Sequence, residues 1–232
     1  MTARLAIPNR GRLLAGSHRA LELCSILHGR QAADRRLFWR GKDEALDVFA
    51  LRSTDIPRRL LDNTVQFGIT GRDYVVEAGG ADLPELVDLR LAHGWLCVLA
   101  PEGGQLDARE GLNGKRIATK YVSILTSFMA VHEIVPGEIV PVEGAAEIYC
   151  RLGLADFIFD IVCTGRTARA NHVRPVARIF ETSAHLYASL ETPSTFAGMT
   201  EELTSALGGV AGSIEDVEEY PWETIDIVLP WR

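Results

Sequence analysis

Long apolar runs are missing from this sequence, and so is any dense set of cysteines. No window approaches the ~18 apolar residues that a membrane-spanning helix needs. The four cysteines stand at 24, 97, 150 and 163. None belongs to a Cys-x-x-Cys pair, which excludes a zinc ribbon and a thioredoxin-type redox site. They are also too sparse for a disulfide-stapled scaffold. Positive charge is in deficit: 24 Lys and Arg face 31 Asp and Glu, for a net charge of -7. A basic surface for wrapping nucleic acid is thereby excluded, although a local phosphate pocket is not. Residues 1–7 lack the apolar core of a signal peptide and run into Asn9, Arg10 and Arg12. The expectation is a cytoplasmic protein with reduced thiols.

Several catalytic signatures are missing as well. Gly114-Lys115 has Arg109 where a phosphate loop needs its first glycine, and Arg116 follows the lysine. No Gly-x-Gly-x-x-Gly follows a strand, and there is no Gly-x-Ser-x-Gly. His132-Glu133 has no second histidine to complete a metalloprotease motif.

What is present is an ordinary globular composition, 47% hydrophobic and 24% charged over 232 residues. That length holds one large domain or two small ones. Short apolar runs predict strands over 4–8, 45–51, 65–69, 94–100, 116–119, 138–142 and 157–162. Further strands are expected over 177–180, 184–188 and 225–229. Helical spacing or capping predicts helices over 17–27, 58–63, 82–88, 122–132, 145–152 and 200–207. Strands and helices alternate, which argues for an α/β fold with mainly parallel sheets.

The most informative run is Asp160-Ile-Val-Cys-Thr-Gly-Arg-Thr-Ala-Arg-Ala-Asn171. A buried strand ends in an acid and then in Thr164-Gly165-Arg166-Thr167. Two hydroxyls, a glycine and the N–H groups of a starting helix suit an anion. A merely capped strand-to-helix turn explains the same residues, and local chemistry leaves both readings open. Gly68-Ile-Thr-Gly71 is a second glycine-bearing strand end, explained equally by close backbone packing. Glu147 sits on an otherwise apolar helix, facing either solvent or a cleft.

Taken together, these segments are more specific than any one of them. Leu5-Ala-Ile-Pro, Gly11-Arg12-Leu13, Leu51-Arg-Ser-Thr-Asp-Ile-Pro57 and Phe67-Gly-Ile-Thr-Gly-Arg-Asp73 come first. Leu112-Asn-Gly-Lys-Arg-Ile-Ala-Thr119, Gly144-Ala-Ala-Glu-Ile148, Arg151-Leu-Gly-Leu-Ala-Asp156 and the Asp160–Asn171 run follow in order. In this the chain resembles the catalytic domain of ATP phosphoribosyltransferases, over residues 4 to about 190. The resemblance implies a two-lobed α/β fold like type II periplasmic binding proteins, with a central cleft. One lobe would hold residues 1–92 and the chain after about 177; the other would hold 93–176.

It also implies a reaction: transfer of phosphoribosyl from 5-phosphoribosyl 1-pyrophosphate (PRPP) to N1 of ATP, with Mg²⁺. Thr164, Gly165, Arg166 and Thr167 would cradle the 5-phosphate. Asp160 and Glu147 would serve the ribose hydroxyls and the metal-bound donor. Arg12 and Arg52, with Gly11, Thr70 and Gly71, would meet the acceptor. A homodimer is implied. So is the family's short form, which works with a regulatory subunit resembling a histidyl-tRNA synthetase.

The departures from the family pattern cluster on the acceptor side. Asn9 stands for a lysine, Ala50 for an arginine, Gln66 for an acid and Trp95 for an arginine. Lys120 and Val122 interrupt an Ala-Thr-Ser-Tyr-Pro stretch. Each lost charge-assisted bond is worth ~1.5–3 kcal/mol. A paralogue with a less charged heteroaromatic acceptor is therefore a second reading, and a non-catalytic two-lobed binder a third. The 213–232 tail, with Trp222 and Trp231, matches nothing in the family and is expected to pack on its own chain or at a subunit contact.

Overall fold

The computed structural model describes residues 2–27, 36–41, 45–104, 106, 109–213 and 225–226. Most of the 213–232 tail thus lies outside the described residues. The chain forms two compact units, Met1–His93 with Ser183–Asp216, and Gly94–Thr182 with Val217–Arg232.

The first unit begins with β1 (Ala3–Pro8), α1 (Leu14–Leu23), β2 (Phe38–Arg40) and β3 (Leu46–Leu51). It continues through α2 (Ile56–Leu61), β4 (Phe67–Gly71) and α3 (Arg72–Glu77). The long β5 (Glu85–Pro101) carries the chain into the second unit. There follow β6 (Arg116–Thr119), α4 (Val122–Val131), β7 (Glu138–Pro141), α5 (Glu147–Arg151), β8 (Phe157–Val162) and α6 (Arg166–Ala170). β9 (Val173–Ala188) returns to the first unit, which α7 (Ala197–Val210) completes. β10 (Ile225–Asp226) pairs with β9 in parallel, Ile225 opposite Ala177.

In the first unit the strand order is β2-β3-β1-β4-β9. β1 lies parallel to β3 and β4, while β2 and β9 are antiparallel edges of that set. A central strand covered on both faces must be apolar nearly throughout, and Leu5, Ala6 and Ile7 are fully buried. Leu5 and Ile7 share a core with Leu21, Val48, Phe67, Leu186, Leu203 and Leu207, while Ala6 packs with Ile56 and Leu60. Each such side chain contributes ~1.5–3 kcal/mol by leaving water. In the second unit the order is β5-β8-β6-β7, with β6 parallel to both neighbours and β5 antiparallel to β8. Its core gathers Leu99, Ala118, Ile158, Ala168 and Val173. The sheet is mixed rather than mainly parallel, because β5 and β9 run against their neighbours β8 and β4.

The helix expected over 82–88 does not form. Pro84 ends a turn, and from Glu85 the chain is strand. Its acids are used by tertiary partners: Asp88 accepts hydrogen bonds from the Arg90 N–H and the Ser183 hydroxyl. Arg90 and Ala92 adopt positive φ (54° and 51°), which breaks the alternation a long strand would show. The strands expected over 177–180 and 184–188 are one strand, since Thr182 and Ser183 are buried and bonded rather than a break. Asp55 precedes α2 without a side-chain cap, so Pro57 near its start is the local helix signal there. Among the described residues no helix is long and apolar enough to cross a membrane.

Candidate active site

On the second unit the residues of the Asp160–Asn171 run sit at the carboxyl ends of parallel strands, where open α/β sheets bind ligands. Asp160 lies on β8 opposite Cys97 of β5. Its Oδ1 accepts the Ile161 N–H at 2.7 Å and lies 3.3 Å from the Lys120 ammonium. The loop after β8 turns through Gly165 at φ 67°, a left-handed conformation in which glycine carries no Cβ penalty. The Arg166 N–H donates to the Thr164 hydroxyl at 3.4 Å, and α6 starts there. The Arg166 and Thr167 side chains are exposed. Gly94 on β5 lets the loop approach, since a Cβ there would meet Cys163 Sγ at 2.7 Å and the Val162 carbonyl at 2.9 Å.

Lys120 is placed by its neighbours. The buried Thr119 hydroxyl donates to the Phe159 carbonyl (2.7 Å) and accepts the Tyr121 N–H (2.8 Å). Tyr121 is 1% exposed and packs edge-on to Phe159. Trp95, in the slot where an arginine was expected, has the Arg178 guanidinium 5.6 Å from its ring centroid.

Glu147 opens α5, half-buried. It lines a pocket of about 390 Å³ with Glu102, Cys150, Arg151, Asn171 and His172; Asp160 and Thr164–Thr167 are not among its walls. Burial pushes the Cys150 thiol up to about 11, so this wall carries a neutral thiol and no nucleophile. Among the described residues no group of three or more His, Cys, Asp or Glu is placed to hold a metal ion.

The candidate acceptor residues lie on the first unit and divide into two kinds. Arg52 and Gly11 are exposed, Gly11 at φ 81°. Arg12, Thr70 and Gly71 are committed inside the unit. Arg12 donates to Asp73 Oδ1 at 2.5 Å and to the Ala92 carbonyl at 2.6 Å, with Tyr74 under its guanidinium. Thr70 donates its hydroxyl to the Ser53 carbonyl. A Cβ on Gly71 would collide with Asp73 and Arg12, and one on Gly68 with Ile56 and Leu60. Close packing accounts for both glycines. Gln66 braces β1, accepting the Arg4 N–H and donating to the Asn63 carbonyl. Ala50 is buried in the core. The Asn9 side-chain oxygen is buried with no hydrogen-bond partner among the described residues.

The sequence pattern of the ATP phosphoribosyltransferase family matches residues 52–209. The chain belongs to the ATP phosphoribosyltransferase family. An ATP phosphoribosyltransferase of Methanothermobacter thermautotrophicus is 34% identical over 211 residues, 90% of this chain and 72% of that protein. One of Methanopyrus kandleri is 38% identical over 186 residues, 80% of this chain and 64% of that protein. This family member thus spans roughly two thirds of the length of these relatives. Among solved structures, the "ATP phosphoribosyl transferase (HisG:HisZ) complex from Thermotoga maritima" superposes with a TM-score of 0.72 at 24% identity, covering 92% of this chain and all of that one. An alkanesulfonate-binding protein of Xanthomonas axonopodis pv. citri superposes at 0.55 and 16% identity over 92% of this chain and 74% of that one. The fold is therefore of the type II periplasmic-binding-protein kind.

The sequence marked Lys120 as a departure from the family pattern and, with Arg10, as a cation able to compensate in part for the missing ones; it did not reveal Asp73 and Arg178 as partners. The signal for Asp73 was an acid two residues after Gly71. For Lys120 it was a cation at the end of a strand next in the sheet to the Asp160 strand.

Proposed function

We propose that this chain transfers phosphoribosyl from PRPP to N1 of ATP and releases pyrophosphate, the first step of histidine biosynthesis. Family membership supports this reading, and the Asp160–Thr167 segment carries it structurally. An acid on a strand end followed by a left-handed glycine and two hydroxyls suits a ribose phosphate. Asp160 accepts hydrogen bonds from the ribose hydroxyls. The Thr164 and Thr167 hydroxyls and the N–H groups of the loop hold the 5-phosphate. Arg166 adds exposed positive charge, and Arg52 on the first unit takes an acceptor phosphate. Arg12 serves by shaping Gly71 and the turn around it.

In the reaction the N1 lone pair forms a bond to ribose C1 as the C1–O bond breaks, and the electron pair leaves with the diphosphate. No covalent protein intermediate is required, so rate comes from positioning and from stabilising charge that develops on the ring and the leaving group. Magnesium bound with the donor would neutralise diphosphate charge, and Asp160, with Glu147 as a second carboxylate, would be the residues to hold it.

A regulatory partner is part of the proposal. The Thermotoga maritima structure is of a HisG:HisZ complex, and a homodimer of this chain would form the catalytic core of such an assembly in the cytoplasm. Incubation with PRPP, ATP, Mg²⁺ and pyrophosphatase should accumulate the N1 adduct, with Asp160→Ala inactive. No adduct, alone or with a regulatory partner, overturns the proposal. Turnover only with another heteroaromatic acceptor replaces ATP and keeps the donor half.

A further inference from the structure

We propose that Lys120 is the cation that receives the diphosphate of the donor, and so is a binding and specificity residue of this chain. The inference rests on the reading of Asp160–Thr167 as a phosphoribosyl site. Three residues at the carboxyl end of β6 are treated differently. Thr119 and Tyr121 are buried, and they are tied to each other and to Phe159 by hydrogen bonds and ring packing. Lys120 between them keeps 30% of its side chain exposed. Its backbone is flanked by these two buried residues, while its ammonium reaches 3.3 Å from Asp160 Oδ1 and 4.9 Å from the centroid of the Tyr121 ring.

The Lys120–Asp160 pair is neither sealed nor fully exposed: 30% and 20% of the two side chains still meet solvent, so a ligand can reach the ammonium. It is well suited to handling an anion. An ammonium has three protons to give, so a bond to Asp160 does not preclude bonds to an oxyanion. The pairing holds the charge at the acid that meets the ribose hydroxyls. A ribose seated with its 5-phosphate on the Thr164–Thr167 loop and its hydroxyls on Asp160 leaves the C1 substituent for a group beyond Asp160. Lys120 approaches Asp160 from the neighbouring strand rather than from that loop. The developing charge on the leaving diphosphate then falls on a fixed cation, which is the placement catalysis needs.

The test measures calorimetric affinity for pyrophosphate and for ribose 5-phosphate, with Mg²⁺ held constant, in the full chain and in Lys120→Gln and Lys120→Arg. Lys120→Gln should lose roughly 10- to 100-fold in pyrophosphate affinity, the worth of a charge-assisted bond. Ribose 5-phosphate should stay within about 2-fold, and Lys120→Arg should recover most of the loss. Unchanged pyrophosphate affinity overturns the proposal and leaves the pair merely structural. An equal loss of both ligands also overturns it, because Lys120 would then act through Asp160. If the unmodified protein binds neither ligand, the phosphoribosyl reading falls and this inference falls with it. Binding of both ligands with no effect of Lys120→Gln sinks this inference alone.

Discussion

Two ion pairs, one in each unit, use the same kinds of group and differ mainly in burial. Arg12 and Asp73 approach to 2.5 Å with Asp73 wholly buried, while Lys120 and Asp160 stand 3.3 Å apart with both partly exposed. A carboxylate without solvent needs a charged partner, because removing that partner leaves an uncompensated buried charge. The first pair is therefore part of the folded frame, and Gly71 is a glycine because the pair fills the space beside it. The second pair keeps access to water and can exchange partners with a ligand at small cost. Burial, more than residue type, separates a cation that builds the protein from one that serves a substrate.

The largest expected effect in this comparison is at Asp73. Asp73→Ala should lose ~3–5 kcal/mol of stability, measured from the urea midpoint. A loss below about 1 kcal/mol would erase the distinction between the pairs. Gly71→Ala should cost ~1–3 kcal/mol by overpacking. In an Asp73→Ala background that penalty should shrink, because the obstructing carboxylate is gone; additive penalties would show that the collision is not with the pair. Lys120→Gln should shift thermal stability least, by about 1 kcal/mol or less, even though it is the variant expected to impair pyrophosphate binding.

A pH experiment extends the comparison to a third pair. Arg116 donates to both oxygens of Asp156, and those bonds hold the Asp156 carboxyl below its ordinary value. With the folded value depressed, the stabilisation is present above the unfolded-state pKa, ~3.9, and is lost as pH falls through the folded value. The stability gap between the natural protein and Arg116→Gln should be small at neutral pH, because the pair is exposed, and should close as the solution is acidified. A gap that widens in acid would reverse the assigned sign.

Much of the frame was readable from local pattern. β6 and β8 occupy the residues their apolar runs predicted, 116–119 and 157–162, because a strand buried on both faces needs a short continuous apolar run. The turn at Gly165 was readable for the same local reason. What escaped was non-local. Arg12 and Asp73 are 61 residues apart in the chain, and no spacing rule pairs them. Pro84 and the acids around it look like a helix start, yet Asp88 finds Ser183 across the sheet and the segment is strand. The polar residues at 181–183 look like a break in β9, but the buried Ser183 has a partner in Asp88 and the strand continues. Arg178 over Trp95 shows the same limit: the two meet across strands far apart in the chain.

The passage of β5 out of the first unit and of β9 back into it also orders events during synthesis. Residues 94–182 leave the ribosome as one continuous stretch of the second unit. The first unit must wait, because Leu5 and Ile7 share their core with Leu203 and Leu207. A nascent chain that has made β1 through β4 exposes an unfinished apolar face until β9 and α7 arrive. β1 is thus made well before it finds its full set of neighbours, and chaperone demand should centre on that interval.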